Sequence, residues 1–146
     1  MKFTKIICSI FLIIFSSSFS AYVPCKGFVK KVCLPRLSPF IPNGQTHTTT
    51  MHPGGSTKLA MTFYSGQNYR ILICAEEILG QVQFKLRDAA GNILFNSKDR
   101  DDTDFWDFKV ASTQQVTIEV NVPPDASTGN ETVPSGCVSI LVGFKK

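Results

Sequence analysis

From Ser56 onward the apolar residues of this chain recur at every second position, a periodicity that leaves little freedom in what it can fold into. Leu59, Met61 and Phe63 alternate with Lys58, Ala60, Thr62 and Tyr64, as expected of a strand with one buried and one wet face. Tyr69, Ile71 and Ile73 resume the pattern after the turn-forming Ser65-Gly66-Gln67, so these two runs read as a hairpin. Val82, Phe84 and Leu86 follow, and Asp88-Ala89-Ala90-Gly91-Asn92 supplies a glycine-containing hairpin loop that leads into Ile93 to Phe95. Trp106, Phe108 and Val110 form the next buried set, then Val116, Ile118, Val120 and Val122, and last the run Cys137 to Phe144.

About seven short strands at even spacing, with no amphipathic helix in the mature chain, predict an all-β fold: an antiparallel β-sandwich of jelly-roll kind over residues 57–146. The segment Pro123 to Gly136 reads as a solvated loop before the closing strand. Ahead of the sandwich, residues 21–56 carry Pro24, Pro35, Pro39, Pro42 and Pro53 among glycines, which argues against long regular elements and for an arm laid over the domain. Within that arm, Phe28, Val29, Val32 and Leu34 suit one helical turn or a short extended piece.

The first 20 residues have the parts of a cleavable export signal: Lys2 and Lys5, the apolar run Ile6 to Phe15, then Ser16 to Ser20. The apolar run is about half the roughly 20 residues that span a bilayer as a helix, so cleavage after Ser20 is expected and no stable membrane insertion afterwards. The expected address is periplasmic or secreted. The 15 basic and 11 acidic residues give a net charge of +4, but Lys2 and Lys5 leave with the signal. The mature chain is therefore near neutral with its charges scattered, which disfavours a nucleic-acid partner.

Removal of the signal takes Cys8 and leaves Cys25, Cys33, Cys74 and Cys137, an even set in an oxidising compartment. Two disulfides are the natural reading, and the spacing alone selects none of the three pairings. Were Cys25 to Cys33 a continuous helix, eight residues at about 1.5 Å each would hold them about 12 Å apart, too far to bridge. Each would then reach for Cys74 or Cys137, which staples the arm to two strands. Buried free thiols are the alternative, and a zinc site lacks any CxxC pair.

Catalytic equipment is sparse. His47 and His52 are the chain's imidazoles, no nucleophile motif accompanies them, and they show no metal-ligand pattern, so the chain is expected not to be an enzyme. The acidic run Asp99, Asp101, Asp102, Asp104 and Asp107 is the sharpest local feature and the one candidate for calcium. It is not an EF-hand: counted from Asp99, the sixth position is Asp104 instead of glycine and the twelfth is Val110 instead of glutamate. Lys98 and Arg100 supply local counter-charge, so a solvated turn with no cofactor is the default. Tyr64 and Tyr69 are candidate ligand-binding residues, with Tyr64 on the face opposite Phe63 as the more exposed; Trp106 falls in register with Phe108 as core. Asn130-Glu131-Thr132 matches a glycosylation acceptor and is expected to be plain loop.

The succession "TFYSGQNYRILICAEEILGQVQFKLRDAAGNILFNS", "DFWDFKV", "QQVTIEVNVP" and "GCVSILVGFK" resembles a group of small uncharacterised secreted bacterial proteins, over about residues 57–144. The "LRDAAGNILF" hairpin and the closing valine-rich strand are also similar to pre-peptidase C-terminal type β-sandwich domains. Neither resemblance implies an activity. The expected function is non-catalytic: binding or structural association at the cell envelope, with an envelope protein or a glycan as partner. The alternative is a carbohydrate-binding module, assisted by calcium.

Overall fold

The computed structural model describes residues 25–124 and 133–146. The export signal with its cleavage site and the Asn130-Glu131-Thr132 triplet lie outside these residues. Eight strands follow one another along the chain: β1 (Ile41–Met51), β2 (Ser56–Phe63), β3 (Asn68–Ala75), β4 (Gln83–Arg87), β5 (Ile93–Asn96), β6 (Phe105–Lys109), β7 (Gln114–Asn121) and β8 (Gly136–Lys145). They form two four-stranded antiparallel sheets, ordered β1-β8-β3-β6 and β2-β7-β4-β5. That order is the jelly roll, in which consecutive strands alternate between facing sheets except at the β4–β5 hairpin.

Two sequence expectations need correction. The described residues form eight strands where about seven are expected, because β1 occupies the second half of the proline-rich arm; Pro42 sits at an irregularity in its register with β8. Proline is tolerated there because β1 is an edge strand, where a missing N–H breaks no ladder on the open side. The other correction concerns β2 and β3, which are not a hairpin: the turn around Gly66 carries the chain from one sheet to the other. Gly66 has φ of +82°, its N–H donates to the Val110 carbonyl at 3.0 Å, and the Ser65 N–H donates to Thr113 Oγ1 at 3.1 Å. Those bonds tie the turn to the segment joining β6 to β7 instead of closing β2 on β3.

The inner faces supply the core: Phe63, Phe84, Ile71, Ile118, Ile140 and Val142 are at most 2% exposed. Full burial of each such side chain is worth about 1.5–3 kcal/mol, so the period-two pattern is what holds the layers together. The β4–β5 hairpin forms where expected. Its Asp88 carboxylate accepts the N–H groups of Ala90 at 2.9 Å and Asn92 at 2.8 Å, and the Asn92 side-chain amide at 2.9 Å, while Gly91 takes the left-handed φ of +87°. The Asn92 amide, then the backbone N–H groups, hold the Asp88 pKa below the ordinary aspartate value. A folded-state value below the unfolded one means the stabilisation is full above the unfolded pKa and is lost as pH falls through the folded value. Carboxyl-carbon NMR titration should show Asp88 protonating at lower pH than a free aspartate; an ordinary titration would contradict the bonded turn.

Residues 25–40 do lie over the sandwich, and of the two forms open to Phe28 through Leu34 the helical one is observed, continued to Arg36. α1 (Lys26–Phe28) passes through a π-helical turn (Val29–Cys33) into α2 (Leu34–Arg36), with Pro35 directly after the π turn. The segment covers the outer face of the β1-containing sheet. Cys33, Leu37 and Phe40 pack there on Leu72, Cys74 and Leu141, forming a second core. Two disulfides fasten it, Cys25–Cys137 and Cys33–Cys74, with Cα separations of 5.5 and 5.7 Å. Each joins the helical arm to a different strand, β8 and β3. No helix among the described residues is long and apolar enough to cross a membrane.

Candidate functional site

A two-layer sandwich has two open sides, and here the sequence treats them differently. On the β5/β6 side, Phe95, Trp106 and Phe108 stack in a row, with centroids 4.9 and 4.5 Å apart, and fill the gap between the sheets. On the β1/β2 side no such row exists. The register of β1 with β8 pairs His47 with Ile140 and Thr49 with Val138, so β1 turns polar residues towards the interior where its neighbour turns aliphatic ones.

The result is a cleft of about 680 Å³ between the two edge strands. Leu59, Met61, Tyr69 and Phe144 give it an apolar floor; Asn43, Gln45, Thr46, His47, Thr62 and Gln67 line its walls, and Tyr64 stands beside it. Among the described residues no Asp, Glu, Lys, Arg, Cys or Ser lines it. Amides and hydroxyls around an apolar floor suit a neutral ligand with hydrogen-bonding groups, such as a main chain or a sugar. A nucleophile paired with a carboxylate-oriented base has no counterpart in this lining.

The two tyrosines proposed as ligand contacts part company. Tyr64 is 60% exposed. Tyr69 is 4% exposed, with its ring against Phe63 at 4.9 Å and its hydroxyl accepting the Tyr64 N–H at 3.0 Å. It belongs to the core and braces the strand end that carries Tyr64, because a strand residue in phase with Ile71 and Ile73 must face inward. Tyr69→Phe should cost about 1 kcal/mol in urea unfolding and leave the fold unchanged; no loss at all would mean the hydroxyl bond contributes nothing.

The acidic run is dispersed. Asp107 grips Arg70 through two bonds of 2.7 Å, and Arg70 lies between the Phe40 and Phe105 rings at 4.7 Å from each. Asp104 pairs with Arg36 on the arm. The Asp102 carboxylate accepts Gln83 Nε2 at 3.0 Å, and its carbonyl accepts Gln81 Nε2 at 2.7 Å. Asp99 lies exposed on the short helical turn Ser97–Arg100, and Asp101 follows with φ of 54°. Among the described residues no three His, Cys, Asp or Glu side chains are placed to share an ion. Asp102, Asp104 and Asp107 thus serve different partners, the last two joining the arm and β3 to the β6 region. His52 also stands apart from His47; its Nδ1–H donates to the Pro134 carbonyl at 3.2 Å.

What sequence reading missed is β1 itself. Its signal was the β-branched tract Thr46 and Thr48 to Thr50, a strand-forming composition without apolar alternation. A second groove, about 660 Å³, runs along the other face of the same strand, between Thr46, Thr48 and Thr50 and the arm residues Lys26, Val29, Lys30 and Leu34.

No model of a known protein family matches the chain, and no curated protein does. Among solved structures it is similar to PliG of Aeromonas hydrophila, a periplasmic lysozyme inhibitor of g-type lysozyme: TM-score 0.50, 11% identity, covering 69% of this chain and 85% of that one. At that identity the likeness concerns the fold, a two-sheet architecture that PliG shares.

Proposed function

We propose that this chain is an exported, non-catalytic binding protein of the cell envelope whose partner is another protein. The observation that carries the reading is the β1/β2 cleft: a preformed site whose described lining offers amide, hydroxyl and imidazole groups over an apolar floor and no carboxylate to orient a base. The two disulfides support maturation in an oxidising compartment. The fold likeness to PliG supports a protein partner and names the class to try first, a peptidoglycan-cleaving lysozyme.

Purified protein with its disulfides formed should slow lysis of peptidoglycan by g-type lysozyme at near-stoichiometric amounts. Failure to inhibit or bind any lysozyme class, in a panel that includes g-type, would sink the lysozyme reading. The carbohydrate reading keeps one supporting observation, the exposed Tyr64 beside the amide-rich cleft. Under it a glycan array shows binding that Tyr64→Ala lowers by about tenfold or more, since aromatic stacking is worth on the order of 1–3 kcal/mol. An empty array removes it.

A further inference from the structure

Two grooves flank one strand, and that arrangement has a physical meaning of its own. Among the described residues β1 ends its sheet, paired only with β8. Which of its main-chain groups face outward follows from β8. Cys137 directs both of its own towards β3: its N–H donates to Glu76 Oε2 at 2.7 Å and its carbonyl accepts the Glu76 N–H at 3.0 Å. Its β1 partner Thr50 therefore makes no ladder bond to it and points N–H and C=O to the open edge. With the two-residue period, Thr48 and Thr46 do the same, a row of strand-addition groups. The stretch Gln45 to Met51 carries no Lys, Arg, Asp, Glu or Pro, the devices that ordinarily blunt an open edge.

We propose that the β1 edge is a strand-addition site, at which an extended segment of the partner protein joins the sheet beside Thr46, Thr48 and Thr50. The proposal rests on the protein-binding reading above and names its mode. Side chains of an added strand alternate between faces, and here each face offers a preformed receptacle. One set enters the cleft over Leu59, Met61 and Phe144. The other enters the groove beneath the arm, where Val29 and Leu34 form the wall and Lys26 and Lys30 stand exposed at its rim. The occupant is thus an extended chain with aliphatic residues on its cleft side and acidic residues on its arm side. Main-chain bonds supply affinity in this mode, and the alternating receptacles supply specificity.

The probe is an eight-residue peptide of alternating valine and glutamate, followed by NMR of the full exported protein. Amide shift changes are expected to concentrate at Gln45 to Met51. Thr48→Pro removes one outward N–H but no bond to β8, and should weaken peptide binding by about tenfold or more. Ile93→Thr, on the far edge strand β5 and outside both grooves, should bind like the parent, and circular dichroism tells a blocked edge from an unfolded one. Should Thr48→Pro misfold, Lys30→Glu serves in its place, with binding expected to fall as its charge opposes the glutamates. The proposal is overturned if the peptide fails to bind at millimolar concentration, if the shifts map elsewhere, or if a folded Thr48→Pro binds undiminished. Lysozyme inhibition is measured in parallel. Inhibition without peptide binding overturns strand addition alone, whereas peptide binding without inhibition supports strand addition and removes only the lysozyme reading.

Discussion

Replacing Cys33 and Cys74 together by alanine is expected to lower stability by about 4–5 kcal/mol and the melting temperature by roughly 10–15 °C. The bridge closes 41 residues of chain, and the chain-entropy relation assigns a ring of that size about 4 kcal/mol. The remainder comes from the folded side. Both cysteines are fully buried, in the cluster where Leu37 and Phe40 meet Leu72 and Leu141, so alanine also leaves unfilled volume beneath the arm. The Cys25–Cys137 bridge closes a longer ring, 112 residues, for which chain entropy alone gives about 5 kcal/mol. It acts at the arm's first described turn, however, and its loss permits fraying that leaves the Leu37 cluster in place. The native-state argument therefore reverses the order that chain entropy gives. Urea unfolding of the two double variants decides: if the Cys25/Cys137 variant is clearly the weaker protein, the arm's packing contributes little and unfolded-chain entropy governs.

The same packing explains what could be read from the sequence. Seven strands were legible because each alternates apolar with polar residues and buries the apolar set, as in Leu59, Met61 and Phe63 or Val116, Ile118 and Val120. β1 was not, because its inward positions Gln45, His47 and Thr49 are polar; it lines a cleft, and the feature that hid the strand is the one that makes the site. The crossing of β2 and β3 was hidden for another reason. A glycine turn of a few residues between two alternating runs suits both a hairpin and a passage between sheets, and only the bonds of Ser65, Gly66 and Val110 distinguish them. Tyr69 shares the buried phase of Ile71 and Ile73, so its burial is legible, whereas its place in the floor of the β1/β2 cleft is not, because that cleft exists only once β1 closes the sheet. Leu72, Cys74 and Leu141 break the alternation in β3 and β8 because the arm dries their outer face. The acidic run could not be resolved from spacing, since the partners of Asp104 and Asp107 are arginines 68 and 37 residues earlier.

Gly143→Val is expected to lift the end of the arm and cost about 3 kcal/mol. Gly143 lies on the outer face of β8, where a Cβ would stand 2.7 Å from the Phe40 Cβ and 2.9 Å from the Leu37 Cγ. Two further methyls make the overlap worse, and something must move. β8 is hydrogen-bonded on both sides, to β1 and β3, while Leu37 and Phe40 are held by local turn bonds of 3.1 and 3.0 Å. The arm should therefore yield before the sheet. Its displacement would expose the second core and take the Phe40 ring away from Arg70, with faster amide exchange at Leu37 and Phe40 and unchanged exchange in β3. Gly136 provides a comparison, since a Cβ there meets Leu79 Cγ at 2.9 Å, Ile78 Cγ2 at 3.0 Å and Leu79 Cδ1 at 3.1 Å, with no backbone atom among them. Ile78 is 61% exposed and free to turn aside while Leu79 is buried, so Gly136→Ala, which adds one methyl group, should cost less than Gly143→Val. The groove beside β1 is walled by Lys26, Val29 and Lys30, which lie between the two bridged cysteines, and by Leu34 just past the second, so peptide binding should survive Gly143→Val. If stability is unchanged in that variant, the arm does not press on β8 as closely as the second core requires, and its disulfides hold a loose strap.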